Sequence, residues 1–277
     1  MAFTWSMLRS QEPTTLAAAR SLAHRALQWP ARAARANLEP APDDSHTSLT
    51  WHPDQAALLT QLLPGGVKVG LRIGVHELVF IKGSGSESFP LGAAPDSDVG
   101  EWLDAKLAAA GLKPASGVTL PYETPHALFA RPAEETPRFA AVAGWLAAGA
   151  EVLEWVRRKY RRFKPGPGPV RCWPHHFDIA TLVALEPGDA EHARAIGVGV
   201  SPGDDYYAQP YLYVSPYPRP DIANLPALPR GGRWHTRDFF AAIATGTDLL
   251  ALEDPEKGMI EIIEAAFEEG LRRLHVR

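Results

Sequence analysis

Cysteine is almost missing from this chain. Cys172 is the one thiol among 277 residues, so no intramolecular disulfide can form and no Cys-x-x-Cys metal motif exists. A lone cysteine suits a reducing compartment, and a cytoplasmic location is the expectation. No His-Glu-x-x-His zinc motif and no Gly-x-Ser-x-Gly nucleophile elbow occurs, which removes the commonest metalloprotease and α/β-hydrolase signatures. Gly83-Ser84-Gly85-Ser86 lacks the lysine and following helix of a phosphate loop, so it reads as a hairpin turn. No uninterrupted apolar run reaches the roughly 18–20 residues of a membrane span. The formal charge of −4 argues against nucleic-acid or membrane-surface binding driven by net charge.

What remains is ordinary for a soluble globular protein: 45% apolar and 22% charged residues. The length permits one compact unit over residues 1–277, with halves at 1–164 and 165–277. Arg20, Arg25, Arg32 and Arg35 stand in an acid-free stretch that faintly resembles a transit peptide. The helical spacing of Leu16, Ala19, Ala23 and Leu27 favours a structural helix, stopped by Pro30. Heavy use of Ala, Pro and Arg fits a bacterial coding bias.

Ser48–Trp51 reads as a strand and Asp54–Leu63 as a short helix. Val67, Val69, Leu71 and Ile73 alternate with polar or small residues, the period of a half-buried strand. Leu78–Ile81 is a second strand, and Asp96–Leu112 a helix. A long helix is expected over Pro137–Phe163, ended by Lys164-Pro165-Gly166-Pro167-Gly168-Pro169. Strands at 170–185, 193–201 and 209–216 follow, then a proline-rich excursion through 229. The last helix starts near Asp254-Pro255, with Ile260, Ile263, Phe267, Leu271 and Leu274 on its apolar face and Glu268–Arg272 as an outer ion pair. Strands precede helix in both halves, which predicts an α+β fold with a mainly antiparallel sheet and packed helices.

Chemistry concentrates in Trp173-Pro174-His175-His176-Phe177-Asp178-Ile179-Ala180. On a regular strand His176 and Asp178 share a face, with Cα atoms about 7 Å apart. An imidazole and a carboxylate so placed can co-ligate a divalent metal, or the carboxylate can orient the imidazole for acid–base work. His175 would point to the opposite, aromatic face with Trp173 and Phe177. A metal needs further ligands; Asp204, Asp205, His192, His235, His46 and His52 are available, none at diagnostic spacing. Cys172, four residues from His176, lies about 13 Å away on a strand, too far for a thiolate–imidazole dyad, and reads as a buried apolar residue.

Pro202-Gly203 suits a type II turn, with Asp205 and Tyr206 placed at the mouth of the same site. Tyr211 and Tyr213 share a strand face, offering hydroxyls and flat rings to a sugar, nucleoside or aromatic metabolite. The expected partner is therefore a small molecule, with no nucleic acid and no membrane. The competing reading makes the same residues a satisfied hydrogen-bond network in a non-enzymatic protein. The residues alone leave catalysis and oligomeric state open. The basic run from Arg157 to Lys164 complements a helix C-terminus or meets an anion.

Trp173, Phe177-Asp178-Ile179-Ala180, Gly199-Val200-Ser201-Pro202-Gly203, Tyr211-Leu212-Tyr213 and Pro216-Tyr217-Pro218 together resemble a family of uncharacterised, mostly bacterial proteins, a domain-of-unknown-function group. The likeness covers mainly residues 165–275 and extends loosely to Val67–Leu71. Where that family often has Gly-Ser before Phe-Asp, this chain has His175-His176. The resemblance marks a site but implies no reaction.

Overall fold

The computed structural model describes residues 4–124, 135–188 and 193–276; His192 lies outside them. In chain order the first elements are α1 (Trp5–Arg9), α2 (Ala17–Asn37), β1 (Leu49–His52), β2 (Ala57–Thr60), β3 (Val67–Arg72), β4 (Glu77–Lys82), β5 (Gly85–Pro90) and α3 (Asp96–Ala109). Then come α4 (Thr136–Lys159), β6 (Gly166–Pro167), β7 (Arg171–Trp173), β8 (Asp178–Ala184), β9 (Ala195–Ser201) and β10 (Tyr211–Tyr217). The chain ends in β11 (Arg233–His235), β12 (Ala241–Thr245), α5 (Gly246–Leu250) and α6 (Pro255–Arg273). The fold is α+β, and the strand pairings within each unit are antiparallel.

The chain divides into two compact units, and the division interleaves. Unit 1 holds Thr15–Gly144 and Arg171–Phe177; unit 2 holds Phe3–Thr14, Trp145–Val170 and Asp178–Arg277. A boundary therefore falls inside the octapeptide that dominates the sequence, between Phe177 and Asp178.

In unit 1 the strands run β7-β1-β2-β3-β4-β5. Val67, Val69 and Leu71 are fully buried, as the period-2 alternation requires. Helix α2 packs on β2 and β3 with Ala19, Ala23, Leu27, Ala31 and Ala34 buried. It does not stop at Pro30. The ring removes one ladder hydrogen bond, and the buried residues on either side hold the helix through it. The segment expected as a helix at Asp54–Leu63 is a 3-10 turn, Pro53–Gln55, followed by β2. A short apolar run has no period that separates strand from helix, and β2 is buried on both faces.

In unit 2 the strands run β11-β12-β10-β9-β8, with β6 pairing β8. Ile179, Val200, Ile196 and Pro216 form one face, under the helices. At Gly149 of α4 a Cβ would come within 2.8 Å of Ile179 and 3.0 Å of Val200, so only glycine permits that approach. Helix α6 lies on β10 and β12. Its buried stripe is Met259, Ile262, Ile263, Ala266 and Phe267; of the expected face, Ile263, Phe267 and Leu274 are buried, while Ile260 and Leu271 are half-buried at its margin. Arg272 pairs with Glu269 at 2.6 Å rather than with Glu268, and Arg273 reaches the same carboxylate at 2.5 Å. Arg273 also donates to the carbonyls of Asp221, Ala223 and Asn224, which ties the proline-rich excursion to α6.

Helix α4 is the one described helix long and apolar enough to cross a membrane, and 67% of its most apolar window is buried. Burial accounts for that composition. Its basic end is partly neutralised: Arg157 bonds Glu154 at 2.9 Å and Lys159 bonds Glu264 at 2.6 Å.

Candidate functional site: a tyrosine–carboxylate face and a histidine turn

Residues 170–185 do not form one strand. Trp173 ends β7, Pro174–Phe177 make a helical turn, and Asp178 begins β8. The amides of His176 and Phe177 donate to the Trp173 carbonyl at 3.2 and 2.7 Å, and Phe177 adopts φ 56°. That left-handed backbone is costly for a bulky residue. It is held because the Phe177 ring is buried and stacks on His24 at 5.2 Å. The alternation that paired His176 with Asp178 is therefore interrupted. His176 is exposed in unit 1, and Asp178 is buried in unit 2.

Within unit 1 the turn is fastened to α2. His24 Nε2 lies 2.7 Å from the Pro174 carbonyl, and Gln28 donates to the same oxygen at 2.9 Å. A carbonyl only accepts, so the His24 proton sits on Nε2. Burial lowers the His24 pKa to about 4, with the neighbouring Arg20, His176 and His175 pushing the same way. Tyr122 donates to Gln28 Oε1 at 3.0 Å, and its ring lies 5.6 Å from His175. Burial also lowers His175 to about 4, helped by adjacent His176. Cys172 is buried, as expected of a small apolar residue.

Within unit 2 the register builds a polar face opposite the helices. Ile179 pairs with Val200, so Asp178 stands beside Ser201; Tyr211 pairs with Ser201 and Tyr213 with Gly199. A Cβ on Gly199 would fall 2.4 Å from the Tyr213 ring. Glycine there lets the ring lie flat across β9 and deliver its hydroxyl to Asp178 Oδ2 at 2.5 Å. One residue along the face, Tyr211 donates to Asp204 Oδ2 at 2.5 Å. Asp204 Oδ1 accepts the amides of Tyr206 and Tyr207 at 2.9 and 3.0 Å. One carboxylate thus organises the Asp204–Tyr207 turn and ties it to β10, an Asx-type turn extended by a tyrosine. Burial first, and the partner carboxylates second, push both tyrosine hydroxyls well above their ordinary range. Tyr211 and Tyr213 therefore keep their protons and donate.

Asp178, Tyr211 and Tyr213 come together as the sequence suggested. Asp205 and Tyr206 are exposed, and it is Asp204 whose carboxylate enters the network. His235 and Tyr207 complete it. Tyr207 Oη and His235 Nδ1 are 2.8 Å apart. The imidazole stacks on Phe239 at 4.0 Å, with the Tyr206 ring edge-on at 6.0 Å. His235 Nε2 is buried with no hydrogen-bond partner among the described residues. Nothing in the sequence pattern singled out Tyr207. His235 stood only as one of six distant metal-ligand candidates, because β11 carries no period of its own.

Among the described residues no three His, Cys, Asp or Glu side chains cluster closely enough to hold a metal ion. No family model, curated protein or solved structure matches this chain, and its function is to be read from the chemistry of these two units.

Proposed function

We propose that unit 2 binds a small molecule bearing a flat ring and a hydrogen-bonding group, across the face formed by Asp178, Tyr211, Tyr213 and His235. The observation that carries this reading is the buried Nε2 of His235, left without a partner among aromatic rings. A buried imidazole nitrogen without a partner costs on the order of 1–3 kcal/mol. A ligand group that bonds it recovers that cost. Tyr206, 55% exposed, offers a ring for stacking beside it. The two tyrosine–carboxylate pairs hold the face rigid, as a pre-organised site requires. Sugars, nucleosides and aromatic carboxylic acids are the classes that match rings and hydroxyls so arranged.

The test is ligand-observed NMR of the full chain against panels of those three classes, with His235→Gln and Tyr206→Ala alongside. We expect at least one class to bind, with affinity about tenfold weaker in each variant, equivalent to ~1.4 kcal/mol. If no class binds, and Asp178→Asn and His235→Gln alter only the melting temperature, the face is a structural network. Asp204 favours that second reading locally, since three donors from its own loop and strand already occupy its carboxylate.

A further inference from the structure

Helix α2 presents His24, Gln28, Arg32 and Arg35 at spacings of four, four and three, a stripe about 80° wide at 100° per residue. Three of the four have a hydrogen-bond or ion-pair partner within unit 1. His24 and Gln28 hold the Pro174 carbonyl, and Arg35 pairs with Asp44 at 2.9 Å. Arg32 differs. Its guanidinium lies over the Trp29 ring at 5.1 Å, its Nε, like that of Arg35, is buried without an acceptor, and, unlike Arg35, it has no carboxylate paired with it among the described residues. A half-buried guanidinium is always charged, and charges removed from water are ordinarily paired.

Its surroundings suit an anion carried on a small molecule. The Tyr122 hydroxyl donates to Gln28 at 3.0 Å, one helical turn before Arg32 on the same stripe. The Tyr122 ring forms a flat wall 5.6 Å from His175. His175 makes no hydrogen bond among the described residues, so its ring N–H is free to donate. Asp44 is the opposing charge, and Arg35 already neutralises it. We infer that Arg32, Tyr122 and His175 form an oxyanion site in unit 1, in which a carboxylate or phosphoryl group accepts from the Arg32 fork and the His175 ring. This inference is independent of the face in unit 2.

The probes are sodium phosphate and sodium acetate, titrated into the full chain at constant ionic strength held with chloride. The His175 imidazole signals serve as the local NMR reporter. We expect a saturable shift with a millimolar dissociation constant, weakened at least tenfold in Arg32→Gln. Phosphate alone producing it would assign a phosphoryl ligand, and acetate alone a carboxylate. Arg32→Lys, which retains the charge but loses the fork, should fall between, and it replaces Arg32→Gln should that variant not fold. No saturable shift with either anion, or an unchanged constant in the Arg32 variants, overturns the site.

Discussion

Tyr213 spans two strand spacings to reach Asp178, and it can do so only because Gly199 beneath it has no side chain. Removing the hydroxyl leaves the ring packed but takes a short, charge-assisted donor from a buried carboxylate. Tyr213→Phe should therefore destabilise the protein by about 1–3 kcal/mol, read as a lower melting enthalpy and midpoint in calorimetry. A loss below ~0.5 kcal/mol would show that Asp178 does not depend on this donor. At this scale the sequence was readable in part. Alternation put Tyr211 and Tyr213 on one face, because both lie inside a regular strand. It misassigned the loop carboxylate, since an Asx-type turn is set by side-chain bonds to the backbone that no periodicity announces; Asp204 and Asp205 differ only in which one the turn aims inward.

Among the elements, those with a long period or a strong cap were legible. Asp254 accepts the Lys257 amide at 3.0 Å, and Pro255 occupies the first turn, the combination expected at a helix start. Asp254→Ala should cost about 1 kcal/mol in urea denaturation. Asp254→Asn, which keeps an acceptor, should cost a few tenths; equal losses in both variants would mean that charge, not the cap bond, matters. Elements set by tertiary burial were not legible. β12 is Ala-Ala-Ile-Ala-Thr, buried at every position, and such a run carries no alternation to read. The Trp173–Phe177 turn was hidden for another reason. Its break comes from Phe177 at positive φ, a conformation that side-chain stacking on His24 maintains and that local sequence would disfavour.

For the molecule as a whole, these contacts give unit 1 a distinct response to acid. Burial lowers His24, His76 and His175 from 6.5 to about 4; His76 stacks on Phe139 at 4.2 Å. Each folded-state value is depressed, and the group is a base, so the folded chain refuses protons that the unfolded chain accepts. Above pH 6.5 the imidazoles are neutral in both states and stability is complete. Between pH 6.5 and about 4 the unfolded chain binds more protons, and stability falls as pH falls. Below about 4 both states are protonated and these groups add no further loss. His24 accounts for at most about 3 kcal/mol of that fall; His175, less deeply buried, is screened by solvent and accounts for less. His24→Gln removes the titration while keeping an N–H for the Pro174 carbonyl. Melting temperatures measured from pH 7.5 to 4.5 should therefore drop less steeply in His24→Gln than in the parent chain. Parallel curves would mean that acid acts elsewhere, and that the hold of α2 on the histidine turn is indifferent to protonation.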